Sequence, residues 1–333
     1  MSYWKKFKKK YMGDRAFYRH YLLLAVPMIL QNAITNLVSF LDNIMVGQLG
    51  TEQMSGVAIV NQLIFVYNLA IFGAVSAASI FGAQYFGNGD HRGHMHSFRF
   101  KLYATLLVSG LTMLLLLTKG SDLISLYLTD TAGNGATDVA LQYGKQYLVI
   151  MLVGLVPFAV NQAYATNIKE TGQTLVPMLA SFVAVGTNAV LDYLLIFGVG
   201  PFPELGVTGA ALATVIARYV EAVIVVFWAH RNREKNRYLE GAYRGFGIPV
   251  SELKTILIKG LPLMFNEVLW AAGMTTVTQC YSVRGLDVVA GLPRRLPICL
   301  TLSIYNWGHV SVLLWDSIWE PENWKRQKTQ TTR

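Results

Sequence analysis

The sequence predicts an all-α fold: a polytopic bundle of transmembrane helices with a six-helix lobe and the first helix of a second lobe. Composition indicates a membrane protein, because 53% of the 333 residues are hydrophobic and 14% are charged, against roughly 25% charged in soluble domains. Charge-free runs recur at the length of about 20 residues that crosses a bilayer. A repeat places Pro27 on Pro262 and Gly50 on Gly285. Such repeats are typical of transporters whose substrate path runs between similar halves.

Seven spans are predicted in chain order. The charge-free runs are residues 20–41, 53–89, 102–118, 146–168, 171–191 and 260–283. The sixth span, about 206–229, is interrupted by Arg218 and Glu221. Four prolines lie within these spans, where the missing backbone donor permits a bend: Pro27, Pro157, Pro177 and Pro262.

The basic residues predict the orientation of the bundle. Seven Lys and Arg residues precede the first span and seven more separate spans six and seven, whereas the loops on the opposite side contain only Lys119 and Lys145. The positive-inside rule therefore places the N-terminus in the cytoplasm. The net charge of +9 thus reflects topology and contact with the lipid bilayer, and nucleic acid is not an expected partner. The first span is read as an uncleaved helix of a multi-pass plasma-membrane protein.

The chain divides into four predicted segments. Residues 1–229 form the six-helix lobe, 230–255 a cytoplasmic linker between lobes, and 256–291 the first helix of the second lobe. After Gly291 the apolar pattern stops, and residues 292–333 contain prolines, tryptophans and a polar end. This tail is interpreted either as an interfacial helix at about 298–319 or as an out-of-frame end of a truncated second lobe.

Polar residues inside the spans are the candidates for function, because an unpaired charge in hydrocarbon is costly. Asp42 lies near the outer end of span one, and Asn188 and Asp192 lie near the outer end of span five. Asn188 and Asp192 are four residues apart and share a helix face. Two carboxylates and an amide at one depth are suited to sodium or to a proton. The alternative is that each aspartate caps a helix end in water.

Two further sets of ionisable residues have less specific patterns. Arg218 and Glu221 are expected to form an ion pair or to take part in coupling, and Glu267 in span seven is a candidate coupling carboxylate. The loop with His91, His94 and His96 does not have the spacing of a known metal site and is interpreted as a solvated cytoplasmic loop.

Other chemistries lack support in the sequence. It contains no Walker motif, no HExxH and no GxSxG, so no enzyme activity, cofactor or use of ATP is expected. The cysteines, Cys280 and Cys299, give no basis for a disulfide framework or a metal cluster.

Four segments together resemble the multidrug and toxic compound extrusion family of transporters. They are LAVPMILQNAITNLVSFLDNIMVGQLG, FGAQYFGNGD, NAVLDYLLIFG and GVTGAALATVIARYVEA, in that order, and the resemblance covers residues 15–291. It implies two six-helix bundles and export of small cationic, amphipathic drugs in exchange for Na⁺ or H⁺. By this resemblance Asp42, Asn188 and Asp192 match the cation site of the first lobe, and Thr214 matches a threonine near it. Glu267 departs from the family pattern, so no role is transferred to it.

The resemblance also leaves alternatives open. The family has twelve spans and seven are predicted here, so a truncated antiporter is expected not to transport drugs by itself. A lipid-linked saccharide flippase shares the architecture, and a non-transporting membrane protein or helper subunit is the alternative of another class.

Single-cysteine labelling tests the orientation. In a background without Cys280 and Cys299, a membrane-impermeant thiol reagent applied outside the cell should modify a cysteine placed within 131–136. It should not modify one within 231–237 unless the membrane is first permeabilised. The reverse pattern would show that the orientation is wrong.

Overall fold

The computed structural model describes residues 15–128, 136–244 and 247–282, and within these ranges it is helical without strands. The helices are α1 (Arg15–Gly47), α2 (Thr51–Gly87), α3 (His91–Ser125), α4 (Ala136–Val153), α5 (Leu155–Glu170), α6 (Leu175–Phe197), α7 (Val207–Arg231), a 3₁₀ turn (Arg237–Leu239) and α8 (Val250–Ser282).

These helices follow the predicted order of spans. Within the described ranges, α2, α3, α6 and α7 are long and apolar enough to cross a membrane, and the bent pair of α4 and α5 makes a fifth candidate. Predicted span one lies within α1, and predicted span seven matches α8 from residue 260 to its end at Ser282; each helix has 33 residues. The all-helical fold class is therefore confirmed.

The internal repeat is visible in two of the helices. Helices α1 and α8 have the same length of 33 residues and each contains one proline, Pro27 or Pro262, at the same distance from its start. The other repeated positions, Gly285 and Gly291, lie outside the described residues. The sequence repeat thus corresponds to a repeated helix.

Small residues let the helices of the lobe approach closely. A Cβ atom added to Gly56 of α2 would lie 2.5 Å from the carbonyl oxygen of Ala140 and 2.9 Å from the backbone nitrogen of Gly144, both in α4. Close backbone approach at small residues is the usual packing mode of membrane helices. The opposite sides of the helices expose leucines, such as Leu107, Leu111 and Leu114 of α3, as expected for contact with lipid.

Span four is broken rather than continuous. Helices α4 and α5 meet at Gly154 with a bend of 45°, and Pro157 removes the donor that would bond the carbonyl of Val153. The bend expected at Pro157 is thus present. Pro177 does not lie in a helix interior as predicted, because α6 begins at Leu175 and proline in a first turn costs no helical hydrogen bond.

Two turns on the predicted outer side are short. Residues 48–50 join α1 to α2, and residues 198–206 join α6 to α7. Gly198 ends α6 in the left-handed conformation with φ 64°, which glycine adopts without a steric penalty. Neighbouring helices are therefore paired closely on this side.

The histidines do not form a solvated loop as predicted. They lie at the start of α3, where Asp90 caps the helix by accepting from the backbone nitrogens of Arg92 and Gly93. His94 is buried and lies 3.3 Å from Glu170, which also forms a buried ion pair with Lys101. Among the described residues no group of three His, Cys, Asp or Glu is arranged to hold a metal. These side chains join α3 to α5.

The segment between α7 and α8 is packed onto the first lobe. Tyr238 and Leu239 are buried against Phe98 and neighbouring residues. Burial, followed by the nearby charge of Glu170, raises the pKa of Tyr238, so its hydroxyl stays protonated. Helix α8 begins at Val250, before the boundary predicted at 256.

Arg99 of α3 is the main polar attachment of this segment. Its Nε donates to the carbonyl of Ala242 at 2.8 Å, Nη1 to Gly247 at 2.8 Å, and Nη2 to Gly241 at 2.7 Å and Arg244 at 3.1 Å. The planar fork of an arginine can reach several acceptors at once. Arg99 therefore holds residues 241–244 and Gly247 against α3.

Replacement of this arginine should release the segment. In Arg99→Lys the ammonium cannot reach all four carbonyls, so we expect a loss of at least about 1.4 kcal/mol in local docking, that is, about tenfold faster cleavage by trypsin after Arg244. Quantitative peptide mapping of protein in nanodiscs measures the rate. Arg92→Lys, at an exposed arginine of the same helix, is the control and should leave the rate unchanged. Equal rates in all three proteins would contradict the attachment.

Candidate functional site

A polar face between α6 and α7 lies inside the lobe. Asn188 and Asp192, one turn apart on α6, are buried, and Asp192 is 1% exposed. The Nδ2 of Asn188 donates to Oγ1 of Thr214 on α7 at 3.5 Å, and Asn188 also interacts with the carboxyl of Asp192. The antiparallel packing of α6 and α7 thus brings together three residues identified in the sequence.

Asp42 approaches the same face from α1. This helix packs against α6, and the two carboxyls of Asp42 and Asp192 are close enough to interact electrostatically. In each of them Oδ1 is buried and has no hydrogen-bond partner among the described residues. Buried polar atoms are normally satisfied, so these two oxygens are arranged to receive a proton, a water molecule or a cation.

Tyr147 and Asn61 extend this cluster and were missed in the sequence. The Tyr147 hydroxyl of α4 donates to Oδ1 of Asn61 in α2 at 3.2 Å, and Tyr147 interacts electrostatically with Asp42 and Asp192. A tyrosine and an asparagine in an apolar span are common, and nothing in their spacing indicates a site. The polar cluster is defined here as Asp42, Asn61, Tyr147, Asn188, Asp192 and Thr214.

Arg218 lies one turn along α7 from Thr214 and contacts the break in span four. Its Nη1 donates to the carbonyl of Gly154 at 3.3 Å, and its guanidinium carbon lies 5.1 Å from the ring centroid of Phe158. A Cβ at Gly154 would lie 3.2 Å from Cδ of Arg218, so the glycine leaves room for this contact. Tyr67 donates to the next carbonyl, that of Leu155, at 2.8 Å.

The predicted ion pair between Arg218 and Glu221 is not a contact pair. Glu221 accepts from the hydroxyl of Ser181 at 2.5 Å, and no ion pair within 4 Å joins it to Arg218 among the described residues. The two charges interact electrostatically at longer range. Residues three apart can pair along a helix, but here each side chain finds a partner on another helix.

Glu267, the remaining candidate, lies in α8, on a different helix from the polar cluster. Its backbone is described but its side chain lies outside the described part of the structure. A coupling role for Glu267 therefore stays a prediction.

Comparison with known proteins identifies the family. A family model described as MatE matches residues 27–194, half of the chain. The chain belongs to the MatE family. Its members are multidrug efflux transporters, so the chain is a multi-pass membrane protein of a transporter family. The matched residues include Asp42, Asn188 and Asp192.

Curated relatives of this MatE protein are described as probable multidrug resistance protein NorM. The relative from Thermotoga maritima is 27% identical over 80% of this chain and 55% of its own length. The relative from Rhizobium meliloti is 30% identical over 66% of this chain and 46% of its own length. The chain spans about half the length of these relatives.

Solved structures show the same fold. An outward-facing multidrug resistance MATE family transporter of the MOP superfamily superposes with a TM-score of 0.72 at 20% identity, over 88% of this chain and 62% of that one. A MATE protein in complex with MaL6 gives a TM-score of 0.71 at 22% identity, over 88% and 62%. The MatE chain therefore has the MATE helix arrangement.

The Tyr147 hydroxyl should contribute to the stability of the lobe. In Tyr147→Phe the amide oxygen of Asn61 loses a buried donor, so we expect a loss of about 1–2 kcal/mol, measured by thermal unfolding in detergent. Tyr193→Phe is the matched control, because Tyr193 is 55% exposed on the outer side of α6. An unfolding temperature equal to that of the control would show that the hydrogen bond is not important.

Proposed function

We propose that this chain forms the ion-coupling part of a secondary antiporter that exports small cationic, amphipathic compounds across the plasma membrane in exchange for Na⁺ or H⁺. The observation that carries the proposal is the pair of carboxyls of Asp42 and Asp192, each with a buried oxygen that lacks a partner among the described residues. The names of the curated relatives support multidrug substrates.

The chemistry of the polar cluster fits a hard cation. Sodium requires oxygen ligands, and the cluster offers carboxylate oxygens from Asp42 and Asp192, the hydroxyl of Thr214 and the amide oxygen of Asn188. A proton would bind the same carboxyl oxygens, so the two ions compete for one site. Binding of either ion supplies the positive charge that two neighbouring carboxylates need inside a bilayer.

Coupling between the ion and the substrate follows from the charge of the site. A Na⁺ or H⁺ that binds from the outer side neutralises one of the two negative charges, which changes the charge that the lobe interior presents to a cationic substrate. Exchange requires that ion and substrate favour different arrangements of the two lobes. The substrate path between the lobes and the cytoplasmic N-terminus belong to the same proposal.

Binding of radioactive sodium to purified protein tests the role of the carboxyls. Asp42→Asn and Asp192→Asn should each reduce ²²Na⁺ binding at neutral pH at least about tenfold, because each removes one of the two carboxylate charges that attract the ion. Asp122→Asn, at a carboxylate exposed near the outer end of α3, should bind like the wild type. Binding by the wild type should weaken as the pH falls, because protons occupy the same oxygens.

The same variants distinguish the alternatives. Saturable ²²Na⁺ binding that is unchanged in both aspartate variants would show that the aspartates cap helix ends and do not bind the ion. A proton-coupled site would show pH-dependent proton uptake that is lost in Asp42→Asn and does not require Na⁺. In cells, export of ethidium by a transporter that contains this chain should be lost in Asp42→Asn, and equal ethidium accumulation with and without this substitution would contradict ion-coupled export.

A further inference from the structure

Two hydrogen bonds join α6 to α7 at two levels of the lobe interior. The upper bond links Asn188 to Thr214 and the lower bond links Ser181 to Glu221. On both helices the two levels are seven residues apart, which corresponds to about 10 Å along a helix. The upper level belongs to the polar cluster, and the lower level lies nearer the predicted cytoplasmic side.

Helix α1 contributes polar side chains to both levels. Asp42 takes part in the upper one, and the Nε2 of Gln31 donates to the Ser181 hydroxyl of the lower one at 2.7 Å. Lys169 at the end of α5 interacts electrostatically with Glu221. Helices α1, α6 and α7 therefore each provide polar groups at both levels. Polar groups of this kind can hold water.

Arg218 occupies the zone between the two levels. It follows Thr214 by four residues and precedes Glu221 by three on the same helix. The guanidinium is held from the opposite side by the carbonyl of Gly154 and the ring of Phe158. Arginine remains charged in proteins, so a fixed positive charge lies between the two polar levels.

We propose that Arg218 is a charge barrier that closes the predicted cytoplasmic side of the Asp42–Asp192 site to cations. A fixed positive charge in a region of low dielectric repels Na⁺ and H₃O⁺ strongly. An ion that enters the upper level from outside then returns the same way unless the lobes rearrange. This inference rests on the proposed function and adds the residue that prevents an uncoupled leak.

Passive ion flux through proteoliposomes tests the barrier. Arg218→Gln removes the charge and keeps amide donors for the Gly154 carbonyl, and it should raise passive ²²Na⁺ or proton flux about tenfold or more over wild type. Arg218→Lys keeps the charge and should remain near the wild-type flux. Arg231→Gln, at the exposed end of α7, is the control and should not leak.

Equal flux in Arg218→Gln and wild type would overturn the barrier. A leak of the same size in Arg218→Lys would also overturn it, because shape rather than charge would then seal the lobe. Where Arg218→Gln does not fold, Arg218→Met, which keeps packing on Phe158, replaces it.

A measurement on the wild type needs no variant. Protein loaded with ²²Na⁺ in oriented vesicles should release the ion to the outer side alone when no organic cation is present, and release to both sides contradicts the barrier. Absence of saturable ²²Na⁺ and proton binding would contradict the proposed function itself. Intact ion binding together with wild-type passive flux in Arg218→Gln would contradict the barrier alone.

Discussion

The hydrogen bond from Arg218 to the carbonyl of Gly154 joins the helix that carries Thr214 to the break in span four. The Gly154 carbonyl also accepts from the backbone nitrogen of Phe158 at 3.4 Å, so Arg218 adds a second donor, from another helix, at the bend. Arg218 and Tyr67 provide donors to two successive carbonyls at this break. Because the break is held from both sides, α4 can direct Tyr147 towards the carboxyls while α5 places Phe158 under the guanidinium. The geometry of the polar cluster depends on this bond.

The placement of charge within the lobe follows from the same arrangement. Among the described residues, no Lys or Arg lies within 4 Å of Asp42 or Asp192. An arginine in direct contact would satisfy these carboxylates and remove their need for a mobile cation. Instead Arg218 is occupied by a carbonyl and an aromatic ring, so the carboxyl oxygens stay available.

Features that depend on residues close together in the chain could be predicted from the sequence. The spans follow from charge-free runs, and the shared face of Asn188 and Asp192 follows from helical spacing. The partners of Arg218 and Glu221 could not be predicted, because the spacing favours a local pair and only the packing of α5 and α6 against α7 offers better ones. Tyr147 and Asn61 were missed for a similar reason, since their contact joins helices far apart in the chain. In the sequence Arg99 is also an ordinary arginine near a loop, and only the structure shows four carbonyls of the later segment bonded to it.

The attachment of Gly247 to Arg99 limits how far the start of α8 can move. Between the last carbonyl held by Arg99, that of Gly247, and the first residue of α8 lie only Ile248 and Pro249. Two residues span at most about 7 Å when extended. The N-terminal end of α8 can therefore move only a short distance from α3, and larger movements of α8 must occur at its opposite end.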